Sequence, residues 1–225
     1  MRSTSCIASW SARTRRCDGV LIYQLDLIGT AVFASAGVLS AGGKRMDLFG
    51  VVVVAMVSAL GGGTLRDVIL NANPVFWVSD PLYLYVAGLA ALGTFYAATH
   101  VSRIPPGIFL VADAMGLAVF TIIGANKAFD FGAPYIVVVI MGIMTGVAGG
   151  IMRDMLCAEI PLVLRREIYA TACLVGGVMF VVLAHLHAPP SLLIPLPAAT
   201  VLAVRLAAIY WQLSLPVFDD EYPED

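Results

Sequence analysis

The sequence predicts an all-α integral membrane protein of seven transmembrane helices, built as two inverted three-helix repeats followed by a C-terminal seventh helix. Three observations predict it. Of the 225 residues, 60% are hydrophobic and 12% charged, against about 45–50% and about 25% in ordinary soluble domains. The apolar residues gather in stretches of roughly 20, the length at which a helix crosses about 30 Å of hydrocarbon. A pattern of glycine, arginine and aspartate recurs at one fixed spacing.

Seven spans are expected. The first runs from about Val20 to Ala41 and stops at Gly42-Gly43-Lys44-Arg45. The second, about Leu48 to Leu70, stops at Asn71-Ala72-Asn73-Pro74. The third, Pro81 to Val101, stops at Arg103 and Pro105-Pro106. The fourth covers Gly107 to about Ala125, the fifth Pro134 to about Ala158, the sixth Glu167 to about Leu186, and the seventh about Ser191 to Leu213. Residues 20–103 thus form one repeat and 107–187 the other, with the seventh helix at 191–213 and an acidic, solvated tail at 214–225. Residues 1–19 carry Arg2, Arg13, Arg15 and Arg16. They look like the charged front of a signal peptide but no cleavage site follows, so they are expected to lie outside the fold, as from a start placed too far upstream. Trp77, Tyr83, Tyr85, Tyr135, Tyr210 and Trp211 fall near span ends, where amphipathic rings favour the headgroup zone.

The repeat carries most of the information. Asp26, Gly29, Phe33 and Gly37 recur as Asp113, Gly116, Phe120 and Gly124. Gly62-Gly63-x-x-Arg66-Asp67 recurs as Gly149-Gly150-x-x-Arg153-Asp154, Pro74 as Pro161, and Asp80 as the acidic Glu167. Each second copy follows its first by 87 residues. Two Arg-Asp dipeptides in one ungapped register are hard to reach by chance. Three crossings per repeat make the second copy enter from the opposite side, which places a substrate or ion path between the halves near the midplane. Lys44, Arg45, Arg103, Arg165 and Arg166 follow odd-numbered spans, while Lys127 alone follows an even one. The positive-inside rule then puts the N-terminus outside and the C-terminus in the cytoplasm, against the vote of the four N-terminal arginines.

The composition excludes several classes. With 13 basic and 15 acidic residues there is no nucleic-acid footprint. Cys6, Cys17, Cys157 and Cys173 form no CxxC pair and read as packing residues. His100, His185 and His187 sit at span ends without metal-ligand spacing. No nucleophile–base set or phosphate loop is present, so no enzyme and no cofactor are expected.

The candidate functional residues all lie within spans. Gly61-Gly62-Gly63, and Gly146 with Gly149-Gly150, each cost about 1 kcal/mol per residue relative to Ala in a helix interior. Two readings stand: breaks that free carbonyls to coordinate a cation, or close packing of small residues between helices. Asp26, Arg66, Asp67, Asp113, Arg153 and Asp154 are charges at membrane depth, where they are costly and usually functional. Matching depths suggest the pairs Asp26–Arg66 and Asp113–Arg153, with Asp67 and Asp154 left for solvent or helix capping; the adjacent Arg-Asp side chains diverge by about 100° and are not expected to pair. These pairs either line a path or merely lock helices together. Phe33 and Ser35 flank the small-residue stretch of span one, as a hydrophobic and a polar constriction. Arg205, on span seven, has no repeat counterpart and is assigned a structural or lipid-facing place.

Asp26-x-x-Gly29-Thr30, Phe33-Ala34-Ser35-Ala36-Gly37 and above all Gly61-Gly62-Gly63-Thr64-Leu65-Arg66-Asp67 closely resemble the bacterial relatives of the trimeric intracellular cation channels, over residues 20–213. The resemblance implies a homotrimer with one pore per protomer, conducting K⁺ and other monovalent cations, with spans two and five kinked at their glycines. It implies partners no more elaborate than the chain itself, membrane lipids and permeant K⁺ or Na⁺, in a bacterial inner membrane. The second repeat departs from the pattern with Ala148 where the first has Gly61. The same domain type is also described as a transporter of a small amino acid such as glycine, which is the alternative function. A pathless structural subunit is a third class, and the paired intramembrane charges count against it.

Overall fold

A computed structural model describes residues 4–100, 105–165 and 168–212, with side chains from Val20 onward except at Pro106 and Pro190. Arg2, Arg103, Arg166, Glu167 and the acidic tail fall outside those positions, and Cys6, Arg13, Arg15, Arg16 and Cys17 fall outside the described side chains. The described residues form helices α1 (Thr4–Ala41), α2 (Leu48–Ile69), α3 (Phe76–Ser79), α4 (Leu82–His100), α5 (Pro106–Asp130), α6 (Tyr135–Leu156), α7 (Leu162–Arg165), α8 (Ile168–His185), α9 (Pro190–Leu193) and α10 (Pro195–Tyr210). They supply seven spans long and apolar enough to cross a membrane, the seventh (Ser191–Tyr210) drawn from α9 and α10 together.

Local chemistry sets the ends. Asp47 caps α2, its Oδ1 accepting from Gly50 N at 2.7 Å. The ends of α2 and α6 are the same device built twice. Asn71 and Ala158 turn left-handed at φ 53° and 55°. Ala72 N then donates to Asp67 O at 2.8 Å, and Glu159 N to Asp154 O at 2.9 Å, the reverse bond that closes a Schellman cap.

Two expected boundaries are corrected. The first span keeps its expected limits, Val20–Ala41, although its helix α1 runs back to Thr4. The fourth does not stop near Ala125. It continues to Asp130, so Lys127 belongs to the last turn of α5 rather than to a loop. The seventh is interrupted, α9 ending before Ile194 and α10 starting at Pro195, because proline supplies no N–H to continue a helix.

The topology is inverted. The last turn of α5 meets the last turn of α2, where Lys127 bonds Asp67. The last turns of α1 and α6 share the opposite end, where Ser40, Lys44 and Asp154 line one cavity. Consecutive helices α1 and α2 run antiparallel, so α5 runs against α1 and α6 against α2. The contacts obey the pseudo-two-fold relation. Gly37 sits against Ala55 and Ser58, and its mate Gly124 against Met141 and Thr145. Phe33 and Phe120, equivalent residues, stack with ring centroids 5.2 Å apart at the centre. α10 lies outside this symmetry, packed on α5 and α8.

Candidate functional site

The glycine motifs lie where the repeats cross. Both α2 and α6 run through them as uninterrupted helix, so the expected break is not there. What the glycines provide is approach. A Cβ on Gly62 would stand 2.2 Å from Thr145 O, and one on Gly149 2.3 Å from Ser58 O. Ser58 and Thr145 are themselves repeat equivalents. The packing reading therefore holds for Gly62 and Gly149: backbone meets backbone, as small residues allow between helices in lipid. Gly146 makes the α5–α6 contact, with Thr121 Oγ1 2.4 Å from its Cβ position. Gly61 faces Met152 of α6, Gly63 makes room for the Phe76 ring, and Gly150 for the Tyr169 hydroxyl. Phe33 is buried on Phe120 and Gly116. Ser35 is not beside it: its Oγ donates to Ala31 O at 2.9 Å, accepts from Thr94 Oγ1 at 2.9 Å, and lines an outward apolar hollow.

At each end of the crossing sits a buried charged cluster. In the second repeat Arg153 Nη1 donates to Asp113 Oδ1 at 2.6 Å, as expected from depth, and Nε to Asp154 Oδ1 at 2.8 Å. The Phe109 ring lies 4.8 Å beneath the guanidinium. Asp154 Oδ2 accepts from Leu162 N at 2.9 Å and so caps α7. The other expected pair is not formed. Arg66 Nε bonds its neighbour Asp67 at 2.7 Å, and Asp26 instead accepts from the Tyr83 hydroxyl at 2.9 Å. Adjacent Cβ directions do diverge, but the long arginine side chain curls back so that Nε, not the terminal nitrogens, reaches the carboxylate. Asp67 Oδ1 also takes Lys127 Nζ at 2.8 Å, and its Oδ2 takes Phe76 N at 3.0 Å. Asp67 and Asp154 thus do cap short helices, yet both are paired as well.

Three participants escaped the sequence reading. Lys127 was assigned to a loop. Tyr83 was assigned to the interfacial belt, although it is 5% exposed. Tyr169 was not singled out. The signal that relates the tyrosines is a one-residue slip in register. Up to Ala72 and Glu159 the halves match at 87. Beyond it Leu162 N takes the place of Phe76 N and Tyr169 the place of Tyr83; Glu167, expected to match Asp80, lies outside the described residues. Arg205 is not lipid-facing but 1% exposed, its guanidinium 4.5 Å from the centre of the Tyr169 ring.

Outside the spans, Asp80 accepts from the Tyr23 hydroxyl at 2.6 Å and from Leu82 N at 3.0 Å. The tyrosine bond first, then the backbone bond, hold its carboxyl below the usual range. On the other side Lys44 and Arg165 both pair with Glu159. The Lys44 bond and charge are the main cause of its lowered pKa. These residues line a cavity of about 540 Å³ that reaches Asp154.

Two inverted three-helix repeats, meeting at paired glycines with a charged cluster at either end, define a polytopic inverted-repeat membrane protein. The family model described as Glycine transporter matches residues 23–99 and 110–185, and the chain belongs to that family, as a homologue of the TRIC channels. The UPF0126 inner membrane protein YadS of Escherichia coli K12 is 49% identical over 205 residues, covering 88% of this chain and 97% of that protein. A UPF0126 membrane protein of Vibrio cholerae is 46% identical over 201 residues, covering 89% and 84%. The solved TRIC trimeric intracellular cation channel orthologue from Rhodobacter sphaeroides superposes with a TM-score of 0.80 at 39% identity, covering 86% of this chain and 99% of that one.

Proposed function

We propose that the chain is a monovalent cation channel, K⁺ being its main permeant ion, with one path per protomer of a homotrimer in a bacterial inner membrane. The observation that carries this reading is the arrangement across the pseudo-two-fold axis, from one membrane side to the other. Charged clusters stand at both ends, and between them the apolar Phe33–Phe120 contact and the Gly62–Gly149 crossing close the centre. Charge at membrane depth is expensive and is kept where ions pass; an apolar constriction between wet ends gates by excluding water. Kinship with the cation channel orthologue supports the ion and the trimer. The Lys44 side faces the cytoplasm by loop charge.

Single-channel recording of purified protein in planar bilayers tests the reading. Unitary K⁺ currents are expected, with open probability raised in Phe33→Ala and Phe120→Ala, and chemical cross-linking in membranes should stop at a trimer. The name of the matching family model favours a second reading, a carrier of glycine. Silent bilayers together with saturable glycine uptake into proteoliposomes would establish that reading instead.

A further inference from the structure

The two repeats hold the same three residue types in two different bonding states. Asp26 on α1, Arg66 on α2 and Tyr83 on α4 correspond to Asp113 on α5, Arg153 on α6 and Tyr169 on α8. One element is constant: the arginine Nε holds the following aspartate, at 2.7 Å in one half and 2.8 Å in the other. The first-helix aspartate differs. In the first repeat it takes the tyrosine hydroxyl at 2.9 Å and no arginine. In the second it takes arginine Nη1 at 2.6 Å. There the Tyr169 hydroxyl and Asp113 Oδ2, the atoms equivalent to the bonded pair of the first repeat, have no hydrogen-bond partner among the described residues. Asp113 is 0% and Tyr169 1% exposed. Leaving such groups unbonded out of reach of water is costly, so the second repeat lacks a bond whose geometry the first repeat shows to be attainable.

We propose that each triad is a two-position switch, and that the protein has a second conformation in which the halves exchange states: Asp26 bound by Arg66, and Asp113 bound by Tyr169. In inverted-repeat proteins the two halves move against each other about a fixed centre, and an exchange of states between equivalent elements leaves the number of such bonds unchanged. The tyrosine bond draws the third helix of a repeat to the first; the arginine bond draws the second. Each exchange therefore shifts the packing at one end of the Gly62–Gly149 crossing. Other charges bias the two ends unequally. Lys127 faces Asp67 at one end. At the other, Arg205 lies over Tyr169, and Lys44 and Arg165 are engaged by Glu159.

The exchange itself is independent of what crosses the membrane; its link to open probability rests on the channel reading. Two measurements separate them. The first uses unfolding of the whole protein in lipid nanodiscs. In the wild type, Asp26→Asn and Arg66→Gln should combine additively, within about twofold in the unfolding constant. With Tyr83→Phe present, the arginine state of the first repeat is favoured, and the same pair should couple by about tenfold. Additivity in both backgrounds overturns the switch, whatever the bilayers show. The second uses conductance. Tyr83→Phe and Tyr169→Phe weaken opposite conformations, so they should move open probability about 3–10-fold in opposite directions. Both rings are retained, so both variants are expected to fold. A shift in the same direction overturns the exchange. Coupling in the unfolding cycle with silent bilayers would keep the switch and remove the channel.

Discussion

Both repeats bury their arginine–aspartate pair, but only the first is joined by a partly exposed lysine. Lys127 reaches Asp67 from a side chain 29% exposed, whereas Arg153 and Asp113 are both 0% exposed. The residue types inherited by the two halves are the same, and so are the bonds from each arginine to its neighbour. What differs is surroundings added from outside the repeat: the end of α5 in one case, α10 in the other. Duplicated motifs therefore need not carry duplicated energies, and the halves can be told apart by substitution.

The largest contrast is expected at the arginines. Among the described residues Arg153 is the cation paired with Asp113 and Asp154, and Arg153→Met should cost about 3–5 kcal/mol. Arg66→Met leaves Asp67 with Lys127 and Phe76 N, and should cost about 1–2 kcal/mol. Thermal unfolding in nanodiscs reads the difference, and equal losses would mean the two clusters are equivalently dry. The crossing glycines should show no contrast at all. Gly62→Ala and Gly149→Ala each push a methyl into a facing backbone carbonyl, costing about 1–3 kcal/mol, more than the roughly 1 kcal/mol gained in helix propensity. A stabilised variant at either position would show that the helices are free to part there.

Smaller again are the tyrosines. Tyr83→Phe removes a bond to a buried carboxylate and should lower stability by about 1–2 kcal/mol. Tyr169→Phe deletes a hydroxyl with no hydrogen-bond partner among the described residues and should cost under about 0.5 kcal/mol. Equal costs would place an unseen acceptor beside Tyr169. The smallest effect concerns acid. Glu159 has its pKa lowered from 4.5 by Lys44 and Arg165, while its equivalent in the first repeat is Ala72. A depressed folded value means the Lys44–Glu159–Arg165 contact stabilises fully above pH 4.5 and is lost as pH falls through the lower folded value. Glu159→Ala should therefore lower Tm slightly at pH 7 and reduce the slope of Tm against pH below 4.5. An unchanged slope would assign that acid sensitivity to other carboxylates.

The spans, the repeat and its inversion were legible because hydropathy and an ungapped Arg-Asp register are properties of the chain itself. Asp113–Arg153 was legible from depth alone. Asp26–Arg66 was not, because depth says which groups can meet and nothing about a third residue that takes the place. Tyr83 was hidden by a one-residue slip after Glu159, which moved its counterpart out of the register that identified everything before it. The glycines were found, but the sequence left breaks and close packing both open: helix propensity is local, and the carbonyl of a facing helix, 2.2 Å from a would-be Cβ, is invisible to it.

The crossing at Gly62 and Gly149 has a further consequence. Ser58 faces Gly149 while Thr145 faces Gly62, so residue and partner trade places across the axis, as at the isologous interface of a two-fold dimer. Each half presents a surface complementary to a copy of itself in the opposite orientation. A gene encoding 20–103 alone, inserted both ways up, would present to its twin the face that α6 now presents to α2. The link between the halves fixes their ratio, and the three crossings of each half oppose their directions.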